Sequence, residues 1–257
     1  MLGSPRKVAV VDGGTGDGLR NPVDPSRRIR AVLFDLDGTL YRQAPVRALM
    51  ALETLTLPFA NLTLAPKRWR ALLKYRQALE DFRDDRGEGT VGPALLATTA
   101  TASGLTVDEV ESLVTEWMHL RPLKYLRMCR VPGIDQLLDQ FKQAGVVAGV
   151  LSDYPAEKKL TALGLGGRFS PVLCSLDPEI DALKPSPRGF ETACRRWNLS
   201  PGDVLMIGDR AEVDAAGAIA AGMTCVIIGR AETHGLKSAG YFVMPSLDTL
   251  RGALAHV

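Results

Sequence analysis

The segment Asp35-Leu36-Asp37-Gly38-Thr39 sets two carboxylates two residues apart at the end of an apolar run, Ala31-Val32-Leu33-Phe34. In extended chain, residues two apart point to the same side, so Asp35 and Asp37 enter one pocket if strand geometry persists, and Gly38 permits the turn that follows. Two like charges held close are costly unless a cation or a proton offsets them. A hard ion such as Mg²⁺, which takes carboxylate, carbonyl and phosphate oxygens, is the natural partner. A second acidic pair, Asp209 and Asp214, follows another apolar run in Met206-Ile207-Gly208-Asp209. Ser152 and Asp153 close a third such run, placing a hydroxyl able to donate to a phosphoryl oxygen. Lys184, in Lys184-Pro185-Ser186-Pro187, sets an ammonium just ahead of a helix expected to begin at Pro187. Nucleophile candidate, hydroxyl, cation and metal ligands form an ordered series suited to phosphoryl chemistry.

These residues must be carried by elements that bring them together. Nearly continuous apolar runs at 31–36, 146–151, 172–175, 204–207 and 224–228 read as buried parallel strands. Helical stretches at 134–143, 156–163, 187–197 and 211–221 alternate with them. The expectation is an α/β fold, a doubly wound parallel sheet, in which ligands bind at the C-terminal ends of the strands. The rhythm breaks between about 42 and 130, where only helical patterns occur: 44–57, 66–84, a Thr-rich segment near 93–103, and 107–119 with Thr106 as N-cap. The expected organisation is a sheet domain over 31–41 and 130–257, an inserted helical cap domain over 42–129, and an N-terminal extension over 1–30, either a tail or an edge strand. The glycines of that extension miss Gly-x-Gly-x-x-Gly, since Leu19 takes the last position.

Composition narrows the remaining classes. The chain has 257 residues, 46% hydrophobic and 23% charged with a net charge of +2, the profile of a soluble globular protein. Such a balance does not suggest a nucleic-acid partner, and no stretch has the length and apolarity of a membrane span. Arg6 and Lys7 precede too short an apolar stretch for a secretory signal, so a cytoplasmic address is expected. Cys129, Cys174, Cys194 and Cys225 are scattered without metal-ligand spacing and read as reduced, buried thiols. The insert has a basic excess and the sheet segments an acidic one. Lys67, Arg68, Arg70, Lys74 and Arg76 read as the solvated face of one amphipathic helix, and Tyr41, Trp117 and His119 as packing residues.

At the motif residues the chain resembles the haloacid dehalogenase-like (HAD) superfamily, with the insert in the place of its helical C1 cap, as in phosphoglycolate phosphatase-like members. Asp35-x-Asp37-Gly38-Thr39, Leu151-Ser152-Asp153, Lys184-Pro-Ser-Pro and Gly208-Asp209 with Asp214 correspond to its four motifs in order. The resemblance implies that Asp35 attacks phosphorus to form an aspartyl-phosphate. It implies that Asp37 protonates the leaving oxygen and then activates water. Ser152 and Lys184 are implied to hold phosphoryl oxygens, with Gly38, Thr39 and Asp153 also at the phosphate. Asp35, the main-chain carbonyl of Asp37, Asp209 and Asp214 are implied as the Mg²⁺ set, Asp214 either directly or through a further layer. The activity implied is hydrolysis of a phosphomonoester of a small phosphorylated metabolite. The alternatives are a phosphomutase on a sugar phosphate and, from another class, a binding module that kept the fold. Monomer and homodimer are equally compatible with the sequence. Arg210 departs from the small hydroxyl residue frequent in relatives and is expected to be solvated.

Overall fold

The computed structural model describes residues 28–56, 65–85, 90–229 and 240–255. The tail or edge strand expected near the N-terminus falls on 1–27, outside the described residues. Among the described residues six strands form one parallel sheet in the order β3-β2-β1-β4-β5-β6: β1 Ala31–Phe34, β2 Val147–Ser152, β3 Val172–Cys174, β4 Val204–Gly208, β5 Thr224–Ile228 and β6 Tyr241–Met244. The doubly wound sheet is therefore as expected. The final strand β6 and the helix α10, Leu247–Ala255, were not anticipated. Their signals were a short apolar run behind Gly240 and leucines at 247, 250 and 254, a helical spacing easily lost at a chain end.

Strand β1 explains why its sequence has no polar alternation. Val32 and Phe34 pack on one layer with α6 (Ile134–Gln143), α7 (Glu157–Ala162) and α10. Ala31 and Leu33 face the other layer, with α8 (Arg188–Trp197) and α9 (Ala216–Ala220). Both faces are covered, so every residue of the strand is buried. Strand order reverses about β1 and β4, which are paired from Ala31–Val204 to Phe34–Ile207, and the crevice beyond their C-terminal ends is where such sheets bind ligands.

Between β1 and α6 the elements among the described residues are helical, chiefly α1 Gln43–Thr56, α2 Ala65–Asp85, α3 Val91–Ser103, α4 Val107–Val114 and α5 Leu123–Leu126. Thr106 caps α4 as expected: its hydroxyl accepts the Glu109 N–H while the Glu109 carboxylate accepts the Thr106 N–H. The helix expected over 107–119 instead changes pitch at Thr115 and continues as a π-helical turn to Leu120, carrying Trp117 and His119. Helices α2, α3 and α4 share a small core of their own around Tyr75, Leu79, Leu95 and Val110, which also takes in Leu183 beside Lys184. Val46 of α1 and Leu126 of α5 pack instead with the sheet core. Among the described residues no helix is long and apolar enough to cross a membrane.

Candidate active site

Asp35 follows β1 directly, and its amide donates to the Ile207 carbonyl at 2.8 Å, extending the β1–β4 ladder by one residue. Its carboxylate is 5% exposed as a residue and fully engaged. Oδ1 accepts from Lys184 Nζ at 2.6 Å and Oδ2 from the Thr39 hydroxyl at 3.1 Å. Lys184 Nζ also donates to Asp214 Oδ1 at 2.7 Å, so one buried ammonium spans both motif ends. The other oxygen of Asp214 accepts the Asp209 and Arg210 amides at 3.2 and 3.1 Å. A π-helical turn, Ala211–Ala215, carries Asp214 into this position.

Carboxylate oxygens of Asp35, Asp209 and Asp214 lie within 4.8 Å of one another. Burial, outweighing the opposing pull of Lys184, raises the Asp35 carboxyl to about 6, with Asp214 and Asp37 adding to the rise. Burial, then Asp35 and Asp214, raise Asp209 to about 8. A site with three clustered carboxylates and one balancing lysine is short of positive charge, and the all-oxygen donor set fits a hard divalent cation. Gly38 sits at φ +120°, and a Cβ there would run into the Asp209 carboxylate. A larger residue is thus excluded twice, by backbone conformation and by the acid it faces.

The Asp37 carboxylate lies outside this trio, and the Asp37 atom expected in the metal set is its main-chain carbonyl, not this carboxylate. Its oxygens accept from Lys159 Nζ at 2.6 and 2.8 Å, from the Ser152 hydroxyl at 3.2 Å and from the Tyr41 hydroxyl. Its main-chain carbonyl, the atom expected at the metal, accepts from the Gln43 amide. Burial alone would raise Asp37, but Lys159, Tyr41 and Ser152 together hold it below the ordinary carboxylate range. Thr39 and Asp153, both expected at the phosphate, have side-chain partners within the site. Thr39 orients Asp35, and Asp153 lies behind Lys184, accepting from the Ser175 hydroxyl at 2.7 Å and the Lys184 amide at 3.2 Å.

Sequence reasoning passed over Lys159 and Arg83. Lys159 lies in the first turn of α7, is 4% exposed, and its ammonium sits 5.0 Å from the centre of the Tyr154 ring. A lysine inside an otherwise amphipathic helix gave no period-based sign of burial. Arg83 reads as part of a charged surface helix but pairs with Asp153 at 2.7 Å, both side chains 7% exposed. Arg210, expected in solvent, keeps 40% of its side chain exposed and also reaches the insert, 3.2 and 3.3 Å from the two Glu80 oxygens. A cavity of about 150 Å³ opens beside Asp37 and Lys159, lined by Tyr41, Met50, Trp69, Arg76 and Trp117 among others.

Residues 29–222 match the haloacid dehalogenase-like hydrolase family. The chain belongs to that family. Among relatives of this HAD-like hydrolase, N-acetylmuramic acid 6-phosphate phosphatase of Pseudomonas aeruginosa is 30% identical over 192 residues, covering 71% of this chain and 74% of the relative. Phosphoglycolate phosphatase of Haemophilus influenzae is 26% identical over 212 residues, covering 79% and 85%. In fold, the HAD-like hydrolase is similar to HAD-hydrolase YfnB of Bacillus subtilis, with a TM-score of 0.64 and 19% identity, covering 89% of this chain and all of the other. It is also similar to a 2-haloacid dehalogenase of Pseudomonas syringae, with a TM-score of 0.62 and 23% identity, covering 88% and 98%.

Proposed function

We propose that this HAD-like hydrolase is a Mg²⁺-dependent phosphatase that cleaves a phosphomonoester of a small metabolite through an aspartyl-phosphate on Asp35. The observation that carries the reading is the placement of Asp35 at the end of β1, oriented by Thr39, bound to Lys184 and beside Asp209 and Asp214. Curated phosphatases among its relatives support the same class of reaction. Asp35, Asp209 and Asp214 would hold Mg²⁺, with the Asp37 carbonyl as the expected fourth protein oxygen. The ion supplies charge neutralisation between an anionic nucleophile and an anionic phosphoryl group.

In this reading an Asp35 oxygen bonds to phosphorus as the bond to the leaving oxygen breaks, and Asp37 gives that oxygen its proton. Asp37 then takes a proton from water as the water oxygen attacks phosphorus, freeing phosphate and restoring Asp35. Lys184 and Ser152 stabilise the phosphoryl oxygens. As it stands, Asp37 is a carboxylate held by Lys159 and suited to the second step. For the first step, the Lys159 ammonium shifts from Asp37 to an oxygen of the arriving substrate, which restores proton affinity to Asp37.

The helical insert over 42–129 acts as the cap that selects the leaving group. Trp69, Trp117 and Met50 offer apolar and aromatic surface in the cavity, and Arg47 and Arg76 line it without a carboxylate partner among the described residues. A phosphorylated sugar-like or hydroxy-acid metabolite with a second anionic group suits such a lining, in keeping with the names of the relatives. The test is hydrolysis of 4-nitrophenyl phosphate and a panel of phosphorylated metabolites, with and without Mg²⁺, by wild type and Asp35→Asn. Turnover that needs both the metal and Asp35 supports the proposal, and metal-independent turnover or an active Asp35→Asn refutes it.

A further inference from the structure

Arg83 is the one residue of the helical insert whose side chain is seen to bond both Asp153 and the Lys184 segment among the described residues. Its Nη2 pairs with Asp153 Oδ2 at 2.7 Å and its Nη1 donates to the Lys184 carbonyl at 2.7 Å. The remaining nitrogen, Nε, is buried 3.2 Å from Glu80 without hydrogen-bond alignment. Asp153 in turn accepts the Lys184 amide through its other oxygen. The guanidinium and the carboxylate therefore hold the main chain on either side of the Lys184 Cα, one at the carbonyl and one at the N–H. The Lys184 ammonium, at the far end of the same residue, is the group that reaches Asp35 and Asp214.

A planar fork with fixed donor directions suits this task, since it engages a carboxylate and a carbonyl together, which a single ammonium does with less geometric control. The contact crosses from α2 of the insert to the loop before α8, and its neighbours reinforce it. Glu80, one turn earlier on α2, meets Arg210, and the Asp181 carboxylate accepts the Thr90 and Val91 amides at the start of α3 at 2.5 and 2.8 Å. Of these crossings only the one at Arg83 leads to Lys184.

We propose that Arg83 is a positioning residue that couples docking of the insert to placement of Lys184 over Asp35, so that the site is complete only while the insert is docked. This rests on the phosphatase reading for its kinetic consequence. Arg83 touches no substrate in this scheme, so its loss lowers kcat and leaves KM for a small aryl phosphate nearly unchanged.

The test uses the 257-residue chain with Mg²⁺ and 4-nitrophenyl phosphate. Arg83→Ala is expected to lower kcat by about tenfold or more with KM within about threefold, and Arg83→Lys to recover part of the loss. Guanidinium chloride, but not sodium chloride, restores turnover in Arg83→Ala, whereas Arg251→Ala on α10 behaves as wild type. Hydrogen exchange at the Lys184 amide, which is bonded to Asp153 in the native protein, is expected to accelerate about tenfold in Arg83→Ala. A kcat within about twofold of wild type, or a loss matched by a lower folded fraction in circular dichroism, overturns the proposal. Should wild type hydrolyse no phosphomonoester, the phosphatase reading fails by itself. The exchange rate then decides the role of Arg83, an unchanged rate removing it.

Discussion

Lys159 and Asp37 form a largely buried, two-pronged ion pair across the site, with the ammonium 2.6 and 2.8 Å from the two carboxylate oxygens. Removing one partner leaves the other as an uncompensated buried charge, which costs about 3–5 kcal/mol. Lys159→Met is therefore expected to lose stability on that scale, while Asp37→Asn combined with Lys159→Met recovers most of it. Urea denaturation of the two single variants and the double variant closes the cycle. Additive losses would show that the pair does not act as a unit.

Asp209 tests the cation site without reference to turnover. Burial and the neighbouring acids raise it to about 8, so its contribution to stability is present below its unfolded value and is lost as pH rises through the folded one. At pH 8 the metal-free protein carries this cost, and Mg²⁺ at about a hundred times its dissociation constant adds about 2.7 kcal/mol. Asp209→Asn is expected to melt as high as wild type or higher without Mg²⁺, and to show no further rise when Mg²⁺ is added. A full Mg²⁺ shift in that variant would remove Asp209 from the ligand set.

His119 gives the opposite dependence. Burial, then the charge of Lys159, lower it to about 4, against a partial upward pull from Asp37. The folded state keeps the imidazole neutral where the unfolded chain would protonate it, so stability falls as pH drops from about 6.5 towards 4, by up to about 3 kcal/mol. His119→Leu is expected to lose that part of the acid slope, read from melts between pH 7 and pH 4. An unchanged slope would mean that the imidazole titrates normally.

At Gly38 the backbone lies at φ +120° and the position faces Asp209. Gly38→Ala is expected to destabilise by about 1–3 kcal/mol through backbone strain alone. It is also expected to weaken Mg²⁺ affinity by displacing the acid. Calorimetric titration with Mg²⁺, on variant that remains folded, separates the two effects, and wild-type affinity would show that the carboxylate yields without loss.

The sequence by itself determined the doubly wound sheet and the ordered series Asp35, Asp37, Ser152, Lys184, Asp209 and Asp214. Buried parallel strands are written as continuous apolar runs, and the groups at their ends are fixed by chain order alone. Tertiary structure decided how those groups are shared. It joined Asp35, Asp209 and Asp214 around one lysine, and it turned Asp37 toward Lys159. It buried Arg83, which on α2 is one basic residue among several. Helical periodicity reports which face of an element is apolar, but a charge becomes buried only through a partner distant in sequence. Asp37 and Lys159 lie 122 residues apart, and Arg83 and the Lys184 carbonyl 101. No local spacing encodes such pairs, because the first exists only once the sheet domain has folded and the second only once the insert packs against it.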